Sequence, residues 1–211
     1  MKNENDHLKA LNEIRDMMEQ STRFLSLSGL SGVFAGIFAV FGSVSAFIYL
    51  NSDVFNENYY LNAYSSRPAG LSYNMFFILD ALIVLFLAIT FGFVLTSRKA
   101  RKNKQPLWTK SSKLLLINLF IPLIAGGLFC LILLFHKIIF LIAPSMLLFY
   151  GLALINASKY TLREIKILGI AEIILGLISC IYIGYGIIFW TIGFGIFHII
   201  YGVYMYIKYE K

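Results

Sequence analysis

From Ile173 to Ile207 the chain carries no formally charged residue. The scarcity is general: charged residues are 14% of 211, against about a quarter in soluble domains. With 59% hydrophobic residues, too little polar surface remains to cover a water-soluble core. The uncharged run is too long for a soluble core helix and long enough for two membrane-crossing helices. Other absences narrow the chemistry. Cys130 and Cys180 have no Cys or His neighbours, so they give no metal signature and read as small apolar fillers. No Ser–His–Asp order, Gly-rich phosphate loop or HExxH stretch occurs. The expectation is a protein that is not an enzyme, with no catalytic residues, metal or cofactors. No apolar run behind a short basic region opens the chain, so no cleavable signal peptide is expected.

Charges punctuate the rest. Six apolar stretches, about 24–50, 73–97, 114–135, 138–157, 165–183 and 187–207, are each long enough to cross a hydrocarbon core of ~30 Å at ~1.5 Å per residue. The expected fold is all-α: a polytopic membrane domain over 24–207 with six transmembrane helices as three tandem hairpins. A cytoplasmic segment 1–23 precedes it and a cytoplasmic tail 208–211 follows. Between the second and third stretches lie Arg98, Lys99, Arg101, Lys102, Lys104, Lys110 and Lys113, without an acid. The positive-inside rule places that loop in the cytoplasm, and both termini with it. Of the 18 basic residues, all but Arg67 and Lys137 then lie inside. The net charge of +7 is therefore mostly an orientation signal, and no nucleic-acid partner is expected.

Three even-numbered stretches end alike, with Phe91-Gly92, Tyr150-Gly151 and Tyr201-Gly202 each about two turns before a cation. Cys130 and Cys180, 50 residues apart, repeat the same offset on the third and fifth stretches. Tandem hairpins account for both. Small residues supply packing seams: Gly29, Gly32, Gly36, Ala39, Ser43 and Ala46 in the first stretch, and glycines including Gly193 and Gly202 in the last. These seams read as packing within the bundle, with a homo-oligomer interface as the alternative. Pro122 and Pro144 are expected to kink the third and fourth helices.

Three ionisable groups fall inside the apolar stretches: Asp80, Glu172 and His198. Placing such a group near mid-bilayer costs about 2.5–3.5 kcal/mol on insertion scales, so each needs a partner or a wet cavity. Glu172 lies 13 residues before Tyr185 and His198 lies 13 after it. In an antiparallel hairpin they share a depth; whether they face each other depends on helical phase. Together they form the candidate intramembrane polar pair, either as a fixing hydrogen bond or as a proton-carrying element. Asp80 sits nearer the outer surface, within reach of a wet vestibule.

Residues 7–25 show helical periodicity, with Leu8, Leu11, Ile14, Met18 and Leu25 on one face. The segment 1–23 has four bases and five acids, unlike a helix made for anionic lipid. It is expected to dock beneath the bundle or to bind a cytoplasmic protein partner. The outer loop 51–72, with Tyr59, Tyr60 and Tyr64, reads as an interfacial aromatic belt.

The passage from Glu13 to Gly36, with its Ser26-Leu-Ser-Gly-Leu-Ser-Gly32 core, resembles the N-terminal signature of a family of small six-span bacterial inner-membrane proteins of unassigned activity. The last hairpin, with Gly169, Gly176, Trp190, Gly193 and Gly202, is similar to the two-helix repeats of HdeD-like acid-resistance membrane proteins. These resemblances imply a bacterial inner-membrane location and carry over no residue role. Two functions follow: a non-enzymatic structural, regulatory or stress-related role through helix packing and a cytoplasmic surface, or a small transporter or proton-linked channel using Glu172 and His198.

Overall fold

In lipid, main-chain polar groups must be satisfied within the chain, so long apolar runs are helical. The structure, a computed structural model, describes residues 24, 26–50 and 73–211. Among these residues there are helices and no strand. We label them α1 (Gly29–Leu50), α2 (Tyr73–Lys102), α3 (Lys110–Phe135), α4 (Ile142–Ala157), α5 (Glu164–Ile181) and α6 (Gly186–Tyr209). Five spans are long and apolar enough to cross a membrane: α1, α2, α3, α6, and α4 together with the 3-10 turns on either side of it, Ile139–Tyr160. This marks a multi-pass membrane protein. The 18 residues of α5 include Glu164, Lys166 and Glu172, which set it apart from the others.

Several boundaries differ from the sequence expectation for physical reasons. The first helix begins at Gly29 rather than Phe24, because the preceding residues bond elsewhere. Helix α2 continues to Lys102, so its basic residues Lys99, Arg101 and Lys102 occupy the last turn, where the helix dipole favours cations. Helix α3 starts at Lys110 because Thr109 and Ser112 form a reciprocal capping box. Pro122 lies inside α3, as expected. Pro144 is the third residue of α4, in the first turn, where its missing N–H has no intrahelical acceptor to lose. The turn between α5 and α6 uses Gly184 at φ 107°, a left-handed conformation open to glycine. Residues 7–25, apart from Phe24, and the loop 51–72 lie outside the described residues.

Packing is organised around α1 and α6. Helix α1 rests on α2 on one side and on α6 along most of its length. Helix α5 packs chiefly on α4, and α3 also packs on α4. The consecutive helices α5 and α6 share only a light contact. No residue in the apolar stretch of α2 is buried, and α3 is nearly as bare. Phe86 on α2 and Phe135 on α3 are 69% and 82% exposed, a load of apolar surface that lipid covers and water would not tolerate.

At the basic end, residues before α1 tie the helix ends together. Phe24 N–H donates to the Tyr160 carbonyl at 2.8 Å, and the Thr161 hydroxyl donates to the Phe24 carbonyl at 2.7 Å. Ser26 donates to Gln105, and Lys99 Nζ donates to the Leu27 carbonyl at 2.7 Å. Glu210, just past α6, caps α1: its carboxylate accepts from Gly29 N–H at 2.5 Å and from the Ser28 hydroxyl at 3.3 Å. Lys99 pairs with that carboxylate at 3.2 Å. Glu210→Ala is therefore expected to lower stability by about 1–2 kcal/mol, the range of a lost helix cap. Thermal unfolding in detergent checks this, and an unchanged midpoint would show that the cap contributes nothing.

Candidate functional site

Glu172 and His198, on helices that barely touch, are brought into contact. His198 Nδ1 lies 3.5 Å from Glu172 Oε1, and the two residues are 6% and 0% exposed. Local backbone geometry on α6 places the imidazole. Residues Thr191–Phe197 form a widened π-type turn, a feature common at functional positions. The His198 Nδ1 sits 3.0 Å from the Gly193 carbonyl within that turn. A carbonyl only accepts, so Nδ1 carries the proton. In the neutral ring Nε2 is then the acceptor, and the Tyr150 hydroxyl donates to it at 2.7 Å. Tyr150 comes from α4, so the imidazole bridges α4 and α6. Phe194 stacks beside it, with ring centroids 6.0 Å apart, and lies 5.0 Å from the Tyr150 ring.

The glutamate is held differently. Its two carboxyl oxygens are buried and accept no hydrogen bond. Gly193 makes room for them: a Cβ there would stand 2.5 Å from Glu172 Oε2 and 2.5 Å from Leu147 Cδ2. A buried polar group without a partner is uncommon in folded proteins. The Tyr201 hydroxyl, one turn beyond His198, is likewise buried and unpartnered. At the basic end, burial alone would raise Glu164. Hydrogen bonds from Lys208 Nζ at 2.5 Å and the Tyr209 hydroxyl at 2.7 Å outweigh it and hold the carboxyl below its ordinary value.

Asp80 stands apart from this cluster. It accepts from the Ser45 hydroxyl at 2.7 Å and lies over Gly42, where a Cβ would come 3.2 Å from its carboxylate. It joins α2 to α1. Of the seam glycines, Gly29, Gly32, Gly36 and Gly202 meet between α1 and α6. Gly193 does not line that seam; it faces Glu172, and Gly195 takes its place against α1. Two residues of separation on a helix turn the side chain to nearly the opposite face. A second close crossing joins Gly151 of α4 to Gly169 of α5. Gly92 meets nothing within 4 Å, so the three aromatic-Gly pairs do not have equivalent surroundings. Among the described residues no cluster of three metal-ligating side chains occurs. Cys130 and Cys180 are free thiols.

Tyr150, the partner of His198, and Ser45, the partner of Asp80, are residues that residue chemistry alone did not single out. The signal for Tyr150 was its place in an aromatic-Gly pair, read there as a repeat rather than as a hydroxyl beside a histidine. No family model matches this chain, and comparison with curated proteins and with solved structures finds no match.

Proposed function

We propose that this is a six-span protein of the bacterial cytoplasmic membrane, built as three tandem hairpins with both termini inside. Its role is non-enzymatic and structural, regulatory or stress-related, exercised through helix packing and a cytoplasmic surface. The observation that carries this reading is the gathering of helix ends by Phe24, Ser26, Leu27 and Gly29, through Tyr160, Thr161, Gln105, Lys99 and Glu210. A segment bonded to the α2, α4–α5 and α6 ends at once is placed to couple whatever binds residues 1–23 to the packing of the bundle. The basic residues concentrated at that end support the orientation. Helix α5, at about 27 Å, supplies the sixth span with Glu172 buried against α6. Co-purification of the full chain is expected to bring down a cytoplasmic partner that a chain lacking residues 1–23 loses. Identical partners in the two preparations would remove the partner surface from this reading.

One observation favours a second reading, a small proton-linked transporter or channel. Glu172 is sealed in the bundle against His198, yet its carboxyl oxygens accept no hydrogen bond. A group kept only to fix a helix contact is normally satisfied by it. Intramembrane acids and histidines in contact are the usual parts of proton relays.

A further inference from the structure

The loop joining α2 to α3 holds its cations in a fixed shape. Orientation in a membrane requires only their number. Lys99 is engaged, with Glu210 and the Leu27 carbonyl. The other six, Arg98, Arg101, Lys102, Lys104, Lys110 and Lys113, are exposed, and among the described residues none of them pairs with an acid. Helix α2 ends in a Schellman turn: Gln105 N–H donates to the Ala100 carbonyl at 2.9 Å, and Lys104 N–H to the Arg101 carbonyl at 3.1 Å. Such a turn needs a left-handed residue, usually glycine, and Lys104 takes that place at φ 52°. A cation is thus kept where glycine would be less strained. Gln105 is held by the Ser26 hydroxyl, and the Thr109–Ser112 capping box fixes the start of α3. Between these anchors Leu107 packs on the cluster of Phe24, Leu115 and Ala157, while Trp108 is turned out, 64% exposed.

We propose that this loop is a binding site for anionic phospholipid headgroups in the leaflet at the basic end. The proposal goes beyond both functional readings and stands on membrane residence alone. The setting selects lipid over a soluble polyanion. The two helices that carry the loop, α2 and α3, are the barest of the five apolar spans, and they pack on α1 and α4 rather than on each other. Lipid therefore flanks the loop on both sides. An indole has an apolar body and one N–H donor, and it settles at the headgroup level of a bilayer. Trp108 accordingly sets the unpaired cations at the depth of the phosphate groups. The fixed turn holds them there before a headgroup arrives, so little ordering cost is left to binding.

The test reads lipid preference at Trp108 in the full chain carrying Trp190→Phe, which leaves Trp108 as its only indole. The chain is placed in bilayers of equal parts phosphatidylcholine and phosphatidylglycerol, with brominated chains on one lipid or the other, and fluorescence quenching gives their relative occupancy. Each lysine or arginine near an anionic leaflet strengthens binding about fivefold, so two contacts give phosphatidylglycerol a preference of about 25-fold. The preference should shrink as salt is raised. Lys104→Gly should lower it about fivefold. That change supplies the residue the turn favours, so the fold is retained. Adding Lys110→Gln should remove most of the remainder. Lys159→Gln with Lys166→Gln takes two exposed cations from the α4–α5 connection and should leave the preference unchanged. Equal quenching by the two lipids would overturn the site. So would an equal fall in the Lys159 and Lys166 control, which would show a diffuse positive surface only. Binding of polyglutamate or single-stranded RNA in pure phosphatidylcholine, with no preference in the mixed bilayers, would assign the loop to a soluble partner instead.

Discussion

Gly202→Ala is expected to force α1 and α6 apart and to cost about 1–3 kcal/mol or more, the range of overpacking in a closely fitted core. The methyl group would meet the Val33 main-chain nitrogen, the Gly29 carbonyl oxygen at 2.7 Å and Val33 Cγ2 at 2.8 Å. Two of these are backbone atoms of the facing helix, which cannot swing aside as a side-chain tip would. Movement must therefore come from the helix pair itself. In lipid, close packing replaces the exclusion of water as the force joining helices, so lost contact is not recovered elsewhere. Gly92→Ala and Gly127→Ala are internal controls, because nothing lies within 4 Å of a Cβ at either position. Relieved of steric cost, they gain helix propensity of up to about 1 kcal/mol. Unfolding in detergent should thus rank Gly202→Ala well below the wild type and the two controls at or above it. Equal midpoints for Gly202→Ala and Gly92→Ala would show that the α1–α6 seam carries no packing energy.

That seam also shows what the sequence could and could not disclose. Helix positions were legible because a charge-poor run in lipid has one way to satisfy its backbone, and charges mark where the run ends. The same reasoning misplaced the start of α1, since Phe24 and Leu27 are apolar whether extended or helical. What fixes them is a set of bonds to residues over 70 positions away, such as Lys99 and Thr161. The partner of each helix was less legible still. Hairpin connectivity suggests α5 on α6, whereas close glycine crossings hold α5 to α4 and α6 to α1. The glycines of the last helix divide between two faces. Gly195 and Gly202 are seven residues apart and share a face, while Gly193 turns toward Glu172. The contact of Glu172 with His198 was legible in depth alone. The widened turn at Thr191–Phe197 shifts the phase of everything after it, and residue spacing does not announce such a turn.

His198→Ala should be the most damaging change at the intramembrane site. It leaves the Tyr150 hydroxyl and the Gly193 carbonyl without the imidazole and opens a cavity between α4 and α6. Each buried polar group deprived of its partner costs about 1–3 kcal/mol, and the void adds to that. Tyr150→Phe removes one hydrogen bond and almost no volume, so about 1 kcal/mol is expected. Glu172→Gln should cost least, because the carboxyl accepts no hydrogen bond and the amide occupies the same space. Detergent unfolding of the three variants gives the order directly. A cost of about 3–5 kcal/mol for Glu172→Gln would reverse the argument, since that is the penalty for removing one member of a buried ion pair. The 3.5 Å contact would then be a charged bridge holding α5 to α6. A near-zero cost together with a lost response to pH has a different meaning. Packing alone does not require a carboxyl that can be neutralised without loss of stability, and its place beside an imidazole is then explained by exchange of a proton.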